Sequence, residues 1–187
     1  MSQGVAGGGL PQKERLFIKH ILVPSVRILF TWDIALFMIK REVKIIENLI
    51  DGIDEETLQK RVVINRSFAI EDNSRDYSIN MTLEHLRIAG SAIMMVIDTL
   101  SNEKEFPKDI KIETVKPKNN GKDEAKKFFD FMKTYEEYIK NHKRNYSKMT
   151  KPHPWFVEFN NFDWACFMYM HTFIHRRQIE AIIKELK

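Results

Sequence analysis

The chain has 187 residues, 43% of them hydrophobic and 30% charged, a balance that suits one globular domain with a sizeable core and excludes disordered and fibrous classes. Its single cysteine, Cys166, excludes an internal disulfide framework and any multi-cysteine zinc ribbon. Thirty basic against 26 acidic residues give a net charge of +4 and a pI near 9.0, a density that does not favour nucleic acid unless the basic groups cluster on one surface.

Residues 1–20 read as a flexible lead-in, opening on MSQGVAGGG, which lacks the basic and apolar regions of a secretory signal. Residues 21–187 read as a single domain. The most hydrophobic stretch, Ile21 to Ile39, contains Pro24, Arg27 and Asp33, and charges in mid-span are costly in lipid. The expectation is a soluble, cytoplasmic protein without a membrane partner.

Helical periodicity marks four long segments. The first runs from about Pro24 to Leu49, where Val26, Leu29, Phe30, Asp33, Phe37 and Lys40 follow steps of three and four. Gly52 ends it, and Asp54-Glu55-Glu56 open a short helical turn. Residues 61 to 77, with the run Val62-Val63-Ile64, read as an ordered excursion. The second helix starts at the N-cap Ser78 and ends near Asn102. After a charged connection with turn chemistry at Asn119-Asn120-Gly121, the third runs from about Lys122 to Lys143, acidic at its start and basic at its end. Tyr146 to Phe159 reads as a loop, and the fourth helix opens near Asn161 and continues to the C-terminus. The fold class this predicts is all-α, a four-helix bundle with short irregular or β-like excursions between its helices.

Six histidines occur, and His171 and His175 stand four apart on the fourth helix. That spacing projects both imidazoles from one face, where they can share a metal ion. The stripe through Trp164, Phe167, Met168, His171, His175 and Gln178 is otherwise apolar and should face the interior. His85 has a similar setting on the second helix, beside Met81, Thr82, Ile88, Ala89 and Ala92. Three neutral imidazoles leave a divalent ion with open positions, the catalytic rather than the structural pattern. The other reading of the same residues is three hydrogen-bonded core histidines.

The run from His153-Pro154-Trp155-Phe156 through Asp163-Trp164, with the later segment from His171 to Ile179, resembles the approach loop and final helix of the DinB/YfiT-like superfamily of four-helix-bundle metalloproteins. Met81 to Leu86 resembles its second-helix ligand segment, and Thr31-Trp32-Asp33 is similar to its first helix. The resemblance implies one divalent metal, nickel or zinc, held by His85, His171 and His175. It also implies a homodimer and a metal-dependent activity on a small molecule, such as transfer of a low-molecular-weight thiol or hydrolysis. A non-catalytic helical binding or interaction protein is the alternative. Relatives often carry Asn where this chain has Asp33.

Asp33 and Gln178 are the candidate catalytic residues. Asp33 reads either as an acceptor for a ligand imidazole or a base, or as a solvated charge pairing with Lys40 or Arg27. Gln178 reads as an orienting or substrate-contacting group, or as a bridge between helices. Glu84 points away from His85 around the helix and is expected at the surface. His153 either caps the pocket mouth or packs against helix ends, and Cys166 reads as a buried packing residue. The basic residues from Lys140 to Lys151 read as a solvated helix end, with an anion-recognition rim as the alternative.

Overall fold

The computed structural model describes residues 7–187. The first six residues of the expected lead-in lie outside the described residues. Of the remainder, Leu10 and Ile18 are buried and helix α1 runs over Gln12–Phe17. A π-helical turn, Ile18–Leu22, joins α1 to α2, Val23–Leu29. Pro24 explains that turn, because its ring has no N–H for the carbonyl one turn back and clashes with it, so the helix widens locally.

The first long helix is shorter than the periodicity predicts. Phe30 is extended, and Thr31 caps a new helix, α3 (Trp32–Ile50), by accepting the Ile34 N–H at 3.2 Å. The stretch Gln12–Leu29 meets α3 at a bend of 111°. The predicted stripe therefore does not line one face. Leu29, Asp33, Phe37 and Lys40 are exposed, while Trp32, Ala35, Leu36, Ile39 and Ile46 turn inward.

Gly52, at φ +73°, turns the chain after α3 in a backbone region open to glycine. Asp54 then caps the short α4, Glu55–Gln59, through the Thr57 N–H at 2.9 Å. Residues 60–77 are irregular apart from a 3₁₀ turn at Asp72–Ser74 and pair locally, with Ile64 N–H donating to the Arg75 carbonyl at 2.9 Å. Ser78 caps α5, Ile79–Ser101, as expected. A 3₁₀ turn at Ile112–Val115 interrupts the connection to α6, Glu124–Asn141. The segment read as a loop after α6 contains the only strands among the described residues, β1 (Lys151–Pro152) antiparallel to β2 (Glu158–Phe159). A capping box of Asn160 and Asp163 opens α7, Asn161–Leu186.

The structure is mostly helical, with this two-stranded sheet at its edge. Helix α5 packs against α6 and α7, and α3 packs against the same two. Ile46, Leu83, Leu86, Ile97, Phe128 and Met168 fill the space between them at near-zero exposure. Burying such side chains stabilises the fold by about 1.5–3 kcal/mol each. Glu42 is buried between α3 and α7, where Arg176 Nε donates to it at 2.9 Å. Gly90 lets α5 approach its neighbours closely. A Cβ there would lie 2.6 Å from Phe131 Cε1 and 2.7 Å from Met168 Cε. No single helix among the described residues is long and apolar enough to cross a membrane.

Candidate metal centre

Helices α5 and α7 bring His85, His171 and His175 together, with one ring nitrogen from each within 4.8 Å of the others. His85 Nε2 stands 3.0 Å from His171 Nε2 and 3.1 Å from His175 Nε2. The four-residue step on α7 stacks its two imidazoles one turn apart, and the second turn of α5 faces them.

The partners behind the rings determine what faces inward. His85 Nδ1 lies 2.7 Å from the Val115 carbonyl, which only accepts, so this nitrogen carries the proton. Gln178 is buried between His175 and the 3₁₀ turn at Asp72–Ser74. Its Nε2 donates to the Ser74 carbonyl at 2.7 Å, which turns Oε1 toward His175 Nδ1, also at 2.7 Å. His175 Nδ1 is therefore a donor as well. In the neutral state both His85 and His175 present bare Nε2 lone pairs to each other across 3.1 Å. A tautomer shift at His171 relieves its own contact with His85 and leaves the His85–His175 repulsion in place.

A cation between the nitrogens removes that conflict. A proton is disfavoured, since burial pushes His85 down to about 4 and holds His171 and His175 well below the ordinary imidazole range. A metal ion fits. Metal–nitrogen bonds of about 2.0–2.1 Å place ligand nitrogens about 2.9–3.4 Å apart at right-angle to tetrahedral geometry. The anchored Nδ1–H groups are what metal-binding imidazoles ordinarily have behind them. His171 lacks such an anchor: its Nδ1 is buried without a hydrogen-bond partner.

A cavity of about 250 Å³ lies against the trio. Ile18, Leu22 and Val26 of the N-terminal helical stretch line it, together with Phe156 from the β1–β2 connection and Phe167 from α7. His153 also lines it, stacked on Phe156 at 4.3 Å between centroids and accepting the Trp155 N–H through Nδ1 at 3.2 Å. It is buried in the cavity wall and packs on aromatic rings, Phe156 and Phe167 among them.

The structure separates the two candidate catalytic residues. Gln178 sits behind His175 as an orienting group and a helix bridge. Asp33 does not line the cavity: its side chain is 79% exposed and accepts from Arg144 Nη1 at 2.7 Å. Its partner is neither expected one, because Lys40 pairs with Glu136 and Arg27 with Asp163. Glu84 is the opposite correction. Expected at the surface, it is 2% exposed and accepts the Asn119 and Asn120 N–H groups at 3.1 and 3.2 Å. It thereby ties the loop before α6 to α5 by accepting two backbone donors of the polar turn. Cys166 is buried, and burial pushes its thiol up, away from the nucleophilic thiolate. In the Lys140–Lys151 region, Lys140 pairs with Glu136 and Lys151 Nζ donates to the Phe106 carbonyl at 3.2 Å. Val115 and Ser74 anchor His85 and Gln178 through their carbonyls, so no side-chain pattern could have marked that role.

Comparisons with family models, with curated proteins and with solved structures returned no match.

Proposed function

We propose that the chain is a divalent-metal-binding four-helix-bundle protein of DinB/YfiT type, with His85, His171 and His175 as the ligands of nickel or zinc. The observation that carries this reading is the pair of anchored imidazoles, His85 and His175, whose bare Nε2 atoms converge at 3.1 Å. The bundle assignment is supported by the mutual packing of α3, α5, α6 and α7.

In this reading the protein is a metal-dependent enzyme acting on a small molecule, by thiol transfer or hydrolysis. The bound ion supplies Lewis-acid polarisation and lowers the pKa of a thiol or water beside it. Gln178 keeps the His175 lone pair aimed at the ion, and the Val115 carbonyl does the same for His85. The apolar cavity walls exclude water from the reacting end. A thiol substrate brings its own sulfur, in keeping with the buried, protonated Cys166. The homodimeric state belongs to the same reading and rests on the resemblance; the cytoplasmic location rests on the sequence's lack of a secretory signal and of an apolar span.

A second reading, a non-catalytic binder, is favoured by one observation. Asp33 lies away from the cavity and the Glu71 carboxylate is paired with Lys116, so neither is a free base there. Elemental analysis of untagged protein, alongside His171→Ala, tests the site. About one equivalent of nickel, zinc or a similar ion is expected, with affinity reduced more than about 100-fold in the variant. Full metal retention by His171→Ala overturns the ligand set. No metal in either sample after reconstitution leaves the binder reading.

A further inference from the structure

We infer that the cavity beside the imidazoles binds an uncharged, mainly hydrocarbon small molecule, one end of which reaches the Nε2 atoms. The reactive end rests on the metal reading above, whereas the ligand class rests on the cavity walls alone.

The walls are mainly aliphatic and aromatic, with Ile18, Val26, Ile93, Phe156 and Phe167 among them. The charged groups that reach the lining are already engaged or solvated. Lys116 Nζ is held by the Glu71 carboxylate and by Ser74 Oγ at 2.7 Å. Asp163 receives Arg27 Nε at 2.9 Å and Nη2 at 2.7 Å. Lys108, Asp109 and Lys111 are exposed at the rim, in water. Inside, burial holds His153 neutral, with its pKa down at about 3, and keeps the Cys166 thiol protonated. An ionised ligand that entered would lose its hydration and meet no free counter-charge among the described residues, a steep cost. An alkyl or aryl body gains instead from every group it removes from water. The cavity thus disfavours multiply charged peptide or sugar thiols and favours a compact apolar molecule with a neutral polar or soft head.

Trp155 and Trp164 both line the cavity, which provides an internal reporter. The test titrates the full chain, with and without zinc, using straight-chain primary alcohols from butanol to decanol. Carboxylates of matched length and glutathione are titrated in parallel, and tryptophan fluorescence is followed. Alcohol affinity should rise about fourfold per added methylene and level off once the cavity is full. The carboxylates should bind at least about tenfold more weakly to the zinc-free protein. Val26→Lys, on a half-exposed helix, should weaken alcohol binding by about tenfold or more, and Ala92→Trp should block it by filling the space. Absence of chain-length dependence, or carboxylates and glutathione binding the zinc-free protein as tightly as alcohols, overturns the inference even where a variant fails to fold. The same series on His171→Ala separates the two readings. Chain-length dependence that survives there without metal binding leaves the apolar site standing and removes the metal centre. A metal-loaded wild type without chain-length dependence does the reverse.

Discussion

Helix α5 carries a buried polar cluster at each end, and the two are built on opposite principles. At its C-terminal end, Asn161 donates through Nδ2 to Ser101 Oγ at 2.8 Å and to the Asn145 carbonyl at 2.9 Å. Its Oδ1 accepts the Ser147 and Phe162 N–H groups, both at 2.9 Å, and His142 Nε2 reaches Ser101 Oγ at 3.1 Å. Every donor there points at an acceptor. Near the N-terminal end, His85 and His175 turn acceptor toward acceptor, and His171 Nδ1 has no partner. The first cluster is complete as protein; in the second, two acceptors face each other in a group close enough to hold a metal ion. Burial alone does not tell the two clusters apart. The direction of the lone pairs does.

That contrast can be broken from several sides. The largest expected effect is on acid stability. Burial depresses the His153 imidazole from 6.5 to about 3. Its neutral form is thus the one the fold accepts, and the stability it contributes is complete above pH about 6.5 and lost as pH falls toward about 3. The loss is up to about 4 kcal/mol. Urea unfolding of wild type and His153→Phe across that range should show a shallower acid limb in the variant, and parallel limbs would contradict the assignment. Next comes the complete cluster. Asn161→Ala orphans several buried groups at once and should cost about 3 kcal/mol in urea unfolding. Metal affinity should stay unchanged, and a matching loss of metal would mean the two ends are coupled.

Gln178→Leu acts on the histidine cluster from behind. With His175 Nδ1 unanchored, metal affinity should drop about 10- to 100-fold by competition titration, and an unaltered affinity would remove Gln178 from the site. Asp33→Ala should do least. An exposed ion pair with Arg144 contributes about 0–1 kcal/mol, and metal binding should not move. A marked change in metal affinity would return Asp33 to the centre.

The elements that sequence reading located were those with local chemical marks. Ser78 and Asp54 cap the helices they were expected to open, and His171 and His175 meet because one helical turn separates them. The break at Phe30–Thr31 escaped because helical steps of three and four continue across it in the sequence. The competing mark was Thr31, whose hydroxyl takes the Ile34 N–H and starts the helix afresh. Glu84 was misplaced through a single-helix view, and Asp33, the solvated charge of one of its two readings, pairs with Arg144 instead of Lys40 or Arg27. Exposure of Asp33 follows from the new phase of α3, and burial of Glu84 from backbone donors supplied by a loop 35 residues away. The anchors that aim His85 and His175 depend on the carbonyls of Val115 and Ser74, which every residue type possesses. Nothing short of the tertiary arrangement reveals them.

Gly90 has a bearing on this contrast that its lack of a side chain conceals. It lies five residues beyond His85 on the same helix, where Phe131 and Met168 occupy the space a methyl group would need. A glycine in a helix interior costs about 1 kcal/mol relative to alanine, so α5 gives up local rigidity at this point. In return it lies flush against α6 and α7, and His85 is carried in to the distance at which its nitrogen can share an ion with those of α7. The closeness of α5 to its neighbours beside the three histidines thus depends on an atom that is missing from the helix, about 1.4 turns from His85.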